Sequence, residues 1–145
     1  MAAEAAKNIM LRIRSVQRDE TGKAEEISLE TPGRYGVRNQ TPFLTYEETE
    51  LTGMKGTRTT LFLRPGSVSL VRTGAFMQKI EYCEGEESRS ELVTPFGRAD
   101  LTVKTETVEN AVDSGSGRLR IVYHVDLGGV LRQLNEIVID VWEDQ

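Results

Sequence analysis

Apolar and polar residues alternate along most of this chain. Ile9, Leu11 and Ile13 alternate with Met10, Arg12 and Arg14. Leu119, Ile121, Tyr123, Val125 and Leu127 alternate with Arg118, Arg120, Val122, His124 and Asp126. Ile137, Ile139 and Val141 alternate with Glu136, Val138 and Asp140. A period of two sends successive side chains to opposite faces of a strand, so one face is apolar and the other mixed. That is the pattern of a half-buried antiparallel sheet.

Breakers cut the pattern at regular intervals: Asp19-Glu-Thr-Gly22, Thr31-Pro-Gly33, Asn39-Gln-Thr-Pro42, Gly53-Met-Lys-Gly56, Arg64-Pro-Gly66, Thr73-Gly74, Gly85, Thr94-Pro-Phe-Gly97, Ser114-Gly-Ser-Gly117 and Gly128-Gly129. Between them the pattern predicts strands near 8–18, 24–31, 33–39, 42–51, 57–64, 67–73, 76–84, 87–93, 97–109, 117–127 and 130–142. Short, evenly spaced strands indicate a sandwich or a barrel. Short connections favour sequential pairing, and closure removes exposed edges. The expected fold is therefore all-β, an up-and-down antiparallel barrel of eight to ten strands.

Composition agrees. Of 145 residues, 13 are Val, 7 Ile and 14 Thr, and only four of the eight Ala lie beyond residue 6. β-Branched side chains suit a pleated surface. This length supports one domain, expected over 8–145. The Ala-rich segment 1–7 is too short for an isolated helix and is expected to fray. The lone Cys83 has no internal disulfide partner, and Met1–Lys7 lacks the basic and apolar regions of a secretory signal. No apolar run reaches the ~18 residues of a membrane helix. These features point to the cytoplasm and away from membranes. A net charge of -5 argues against a nucleic-acid partner, because that affinity rests on neutralising phosphates.

Candidate chemistry is sparse. There is no CxxC, no HExxH and one His, so no zinc set forms, and no EF-hand pattern provides for calcium. Neither metal nor other cofactor is expected. The acidic runs Glu47-Glu-Thr-Glu50 and Glu84-Gly-Glu-Glu87 read as solvated faces or strand ends. His124 has the outward parity of Arg118 and Arg120, and Cys83 shares parity with Lys79 and Glu81. Neither has the activating partner that nucleophilic or acid–base catalysis requires, so no enzyme is expected. Ser114-Gly-Ser-Gly117 and Gly128-Gly129 are turns, since no helix and no Lys-Ser/Thr follows them.

Polar residues of inward parity carry more information. Arg72 follows Val68 and Leu70 in phase, Gln133 and Asn135 share phase with Leu131, Ile137 and Ile139, and Tyr123 lies in phase with Ile121 and Val125. Gln78 is in phase with Ile80, and Tyr35 with Val37. An arginine inside a barrel must be paired, hydrated or ligand-bound, and every candidate inward neighbour is neutral. One expectation is a hydrogen-bonded internal network. The other is a ligand site of Arg72, Tyr123, Asn135, Tyr35, Gln78 and Gln133 for a small anionic or carbonyl-bearing molecule. In Thr94-Pro-Phe-Gly97, Pro95 and Gly97 set a turn whose amides Asp100 is expected to accept.

The order of Thr31-Pro-Gly-Arg-Tyr35, Phe43-Leu-Thr-Tyr-Glu47, Arg58-Thr-Thr-Leu61, Val68-Ser-Leu-Val-Arg-Thr-Gly74, Thr94-Pro-Phe-Gly97 with Asp100-Leu-Thr-Val103, Gly117-Arg-Leu-Arg-Ile-Val-Tyr123 and Asn135-Glu-Ile-Val-Ile139 resembles the YwiB-like family. These are small bacterial proteins assigned to a domain of unknown function. The resemblance runs from about residue 8 to 142 and implies a lipocalin-like, calycin-type barrel without an established activity. The expected function is therefore non-catalytic binding of a small molecule inside the barrel. The alternative is a packed barrel that works as a protein-interaction or homodimerisation module through outward Met10, Val16, Val71, Val122, Val138 and Trp142.

Overall fold

The alternation becomes ten antiparallel strands in the computed structural model, which describes residues 6–144. They are β1 Lys7–Asp19, β2 Ala24–Arg38, β3 Thr41–Glu47, β4 Thr57–Arg64, β5 Ser67–Gly74, β6 Gln78–Cys83, β7 Glu87–Thr94, β8 Gly97–Asp113, β9 Ser116–Leu127 and β10 Leu131–Glu143. Each strand pairs with its sequence neighbours, except at β6 and β7, and β1 pairs with β10 from Ile9↔Glu143 to Asp19↔Gln133. The chain's two terminal strands thus join in a full ladder. Of the segment expected to fray, residues 1–5 lie outside the described residues, while Lys7 already belongs to β1.

Inward side chains form the core, with Ile9, Leu11, Leu44, Val68, Val103, Leu119 and Ile121 almost fully buried. Outward positions carry Arg12, Arg58, Lys79 and Arg118, all exposed. Among the described residues, no helix is long and apolar enough to cross a membrane. One outward residue departs from expectation. Val138, paired across the ladders with Arg14 and Arg120, is 6% exposed and contributes no free apolar surface.

The weakest joint is in the middle of the chain. Between β6 and β7 there is one isolated bridge, Met77↔Val93, with reciprocal backbone bonds of 2.9 Å. Along the rest of this seam, side chains connect the strands: Ser88 Oγ donates to the Glu81 carbonyl at 3.0 Å, and Gln78 Nε2 donates to Ser90 Oγ at 3.2 Å. The turn after β6 bonds instead to β8, where Gly85 N donates to Thr105 O and Thr105 N to Glu86 O. A β-bulge between Thr105 and Thr107 follows directly, bending β8 as bulges do.

Two expected breaks differ. Thr31-Pro-Gly33 is no turn but the middle of β2. Pairing with β3 starts only at Gly33↔Tyr46, so Pro32 sits at the end of that ladder, where a missing N–H is tolerated. Gly33 is required by space: a Cβ there would lie 2.5 Å from Leu11 Cδ1 and 2.6 Å from Thr45 O. Conversely, the strand expected over 42–51 stops at Glu47. Thr49 caps a single 3-10 turn, Glu50–Thr52, by accepting from Leu51 N, and left-handed Gly53 (φ 78°) closes it.

Candidate functional site

In an up-and-down barrel, the β1–β2, β3–β4, β5–β6, β7–β8 and β9–β10 connections share one end. At this end a cavity of about 160 Å³ enters the barrel. Its walls are aliphatic, from Ile13, Leu29, Leu61, Leu70, Ile121 and Ile139. Thr52 and Met54 of the β3–β4 connection line it from above, and Ser15, Gln17 and half-exposed Ile27 lie towards solvent.

Its polar side is built on two rungs of cross-strand pairs. Tyr46↔Thr59, Thr59↔Arg72 and Arg72↔Gln78 run across β3 to β6. Asn135↔Tyr123 and Tyr123↔Thr105 run across β10 to β8. The Arg72 side chain is 16% exposed, and its Nη1 donates to Gln78 Oε1 at 2.7 Å. Gln78 passes the contact on to Ser90, so the Arg72 network reaches the seam.

A carboxylate faces this arginine, which corrects the expectation of neutral neighbours only. Glu48, inside the run read as solvated, has a side chain only 2% exposed, with Oε2 3.9 Å from Arg72 Nε. Thr59 Oγ1 donates to its Oε2 at 2.5 Å, and Thr52 Oγ1 to its Oε1 at 3.0 Å. Glu48 N also bonds Thr57 O, extending the β3–β4 register one residue beyond the strand. Burial, reinforced by the Glu48 carboxylate, raises the Tyr46 phenol well above its ordinary value. Burial and the neighbouring Tyr123, whose ring centroid is 4.7 Å away, do the same for Tyr82. Both phenols therefore stay protonated as donors.

Of the six residues expected to form the site, Arg72 and Tyr123 line the cavity and Gln78 holds Arg72. Asn135 is buried beside Tyr123 on the rung but does not line the cavity; its Oδ1, like Thr105 Oγ1, has no partner among the described residues. Gln133 lines a separate surface cleft with Lys104, His124 and Asp126. Tyr35 packs at the opposite end, where its Cβ approaches Gly115. The residues missed, Glu48 and Thr59, were accessible by parity: Glu48 follows Leu44 and Tyr46 in phase, and Thr59 precedes Leu61 and Leu63.

The remaining candidates lie outside the barrel. His124 is exposed, with Nε2 2.8 Å from Glu106 Oε2 at the bulge. The Cys83 thiol donates to Glu86 Oε2, which raises its pKa and keeps it a thiol. In the β7–β8 turn, Thr94 rather than Asp100 does the bonding. Its Oγ1 accepts from Phe96 N and donates to Gly97 O, both at 3.0 Å, leaving Phe96 95% exposed. Among the described residues, no cluster of metal-ligating side chains forms.

Fold and cavity together define a ten-stranded, nearly closed antiparallel β-barrel with a partly polar interior. The family model described as "Domain of unknown function (DUF1934)" matches residues 11–139, and the chain belongs to that family. It is 28% identical over 132 residues to the uncharacterized beta-barrel protein YwiB of Bacillus subtilis (strain 168), covering 90% of each chain. The crystal structure of the ywiB protein from Bacillus subtilis superposes with a TM-score of 0.88 at 24% identity, covering 99% of this chain and 96% of that one. That likeness establishes the fold.

Proposed function

We propose that this protein binds a small molecule inside its barrel without transforming it, in the manner of calycin-type barrels, in the bacterial cytoplasm. The observation that carries the reading is the largely apolar cavity of about 160 Å³ with Arg72, only 16% exposed, at its polar side. An apolar cavity of about 150 Å³ suffices to hold benzene. No step of bond making is assigned: Glu48, Thr52 and Arg72 at the cavity are engaged in hydrogen bonds, and His124 and Cys83 lie elsewhere. The test is titration of the isotope-labelled chain with benzene, following the methyl signals of Ile13, Leu61 and Ile121. Saturable shifts confined to the cavity are expected; their absence in folded protein overturns the reading.

A second reading, docking to another protein or a second copy, is favoured by the cavity's rim. Ile27, Leu51, Met77, Phe96, Val130 and Leu131, the exposed large hydrophobics among the described residues, all lie at this end. Three neighbouring connections there, 73–77, 94–97 and 127–131, contain no charged residue. Exposed apolar side chains gathered at one end are what an interaction surface would use. Sedimentation of wild type against Phe96→Ser/Val130→Ser tests self-association: a dimer lost in the variant supports it, and a wild-type monomer at high concentration removes the second copy.

A further inference from the structure

Donors and acceptors at the polar side of the cavity do not balance. Both Glu48 oxygens already accept, Oε1 from Thr52 and Oε2 from Thr59, and the Tyr46 phenol lies against the same carboxylate. Arg72 is only partly used. Its Nη1 serves Gln78, and its buried Nε faces Glu48 at 3.9 Å without a hydrogen bond. Nη2 makes no hydrogen bond to the described residues and, unlike Nε, is not among the buried unpartnered atoms. What is left over is donor capacity beside a charge that Glu48 already neutralises.

That balance discriminates between ligand classes. An anion at Arg72 would also face the Glu48 carboxylate, and like charges in a poorly hydrated site repel strongly. A cation would meet the like charge of Arg72, and a neutral donor would have to share Glu48 oxygens that Thr52 and Thr59 already use. A neutral acceptor meets the free Nη2 without repulsion, and hydrogen bonds from a charged donor are the stronger kind. Away from this polar side, Ile13, Leu29, Leu61, Leu70, Ile121 and Ile139 form an aliphatic stretch of wall, with Ser15 and Gln17 only towards solvent.

We infer that the cavity takes a small neutral molecule with an apolar body and one hydrogen-bond acceptor, a ketone, ester or amide carbonyl. Arg72 Nη2 holds the carbonyl oxygen, and the body lies against Leu61, Leu70 and Ile121. The inference rests on the ligand-binding reading above and narrows the expected anionic or carbonyl ligand to the carbonyl class.

Three probes of closely matched shape test it: α-methylstyrene, acetophenone and benzoate, titrated into the labelled full chain and followed by the methyl signals of Leu61, Leu70 and Ile121. Acetophenone is expected to bind about tenfold more tightly than either, the ratio one charged-donor hydrogen bond supplies. Glu48→Gln is expected to strengthen benzoate binding about tenfold by removing the repelling charge. Acetophenone no tighter than α-methylstyrene overturns the acceptor assignment while cavity binding stands. Benzoate as tight as acetophenone in wild type, or unaltered in folded Glu48→Gln, overturns the neutral-ligand assignment. If Glu48→Gln does not fold, the wild-type comparison decides. Saturable shifts from none of the three overturn the ligand-binding reading itself.

Discussion

Glu48 Oε2 lies 3.9 Å from Arg72 Nε inside the barrel, although β4 separates β5, which carries Arg72, from β3, which ends one residue before Glu48. The separation is too long for a hydrogen bond, so each ion keeps its own neutral partners: Thr52 and Thr59 for the carboxylate, Gln78 for the guanidinium. The pair consequently acts through charge. Neither ion would tolerate this burial without the other.

Arg72→Met is therefore expected to destabilise the barrel by about 3 kcal/mol, the lower end for breaking a buried pair, because Arg72 keeps some solvent contact. Combining it with Glu48→Gln should cost less than the sum of the single changes, leaving a coupling of about 1–2 kcal/mol. Urea unfolding of the four proteins measures this. Strict additivity would mean that the two charges ignore each other.

Alkaline pH should unfold the protein through its phenols. Tyr46 and Tyr82 have folded pKa values raised above the ordinary 10.0. Their contribution is complete below pH 10 and is lost as pH rises from there towards the folded values, because the unfolded chain releases these protons first. Each contributes about 1.4 kcal/mol per pH unit to the slope. Denaturant unfolding from pH 9 to 11 should show stability falling, with a shallower fall in Tyr46→Phe and in Tyr82→Phe. An unchanged slope in both variants would contradict the assignment.

Gly33 and Gly22 separate two reasons for glycine. Gly33→Ala should cost about 1–3 kcal/mol by overpacking, since its Cβ would meet Leu11 and the Thr45 carbonyl. Gly22→Ala has open space but a φ of 86°, so only backbone strain of about 1 kcal/mol is expected. Thermal or urea midpoints should rank Gly33→Ala as the more damaging.

Hydrogen exchange should reveal the seam. Because the N–H and C=O of Met77 and Val93 point across it, alternation aims those of Lys79 and Glu81 on β6, and Arg89 and Glu91 on β7, the same way. No ladder pairs them there. Their amides should exchange faster than those of Ile80, Tyr82 and Ser90, which point into the β5–β6 and β7–β8 ladders. Uniform protection along β6 and β7 would show a closed ladder in solution.

Much of the site was legible as parity and little of it as chemistry. Arg72, Tyr123 and Gln78 share phase with apolar neighbours, and all three belong to the cavity or its support. Gln133 has the same phase as Asn135, yet it lies at the strand end and lines an outer cleft. Phase assigns a face of the sheet but not a depth along the barrel. Glu48 was obscured because acidic neighbours on both sides, Glu47 and Glu50, made the run look solvated. Only the alternation from Leu44 through Tyr46 singled it out.

Period-two alternation and turn chemistry, local properties written in adjacent residues, determined the strands, the inward face and the meander. Three features depended on contacts between distant residues, and no local pattern encodes them. The Pro32-Gly33 pair continues β2 because Gly33 meets Leu11 and Thr45 in three dimensions. The barrel closes by a full β1–β10 ladder while its open joint falls between β6 and β7, since the turn after β6 bonds to Thr105 on β8. Glu48 meets Arg72 because β3, β4 and β5 come into register, placing a carboxylate beside a guanidinium that lines the cavity.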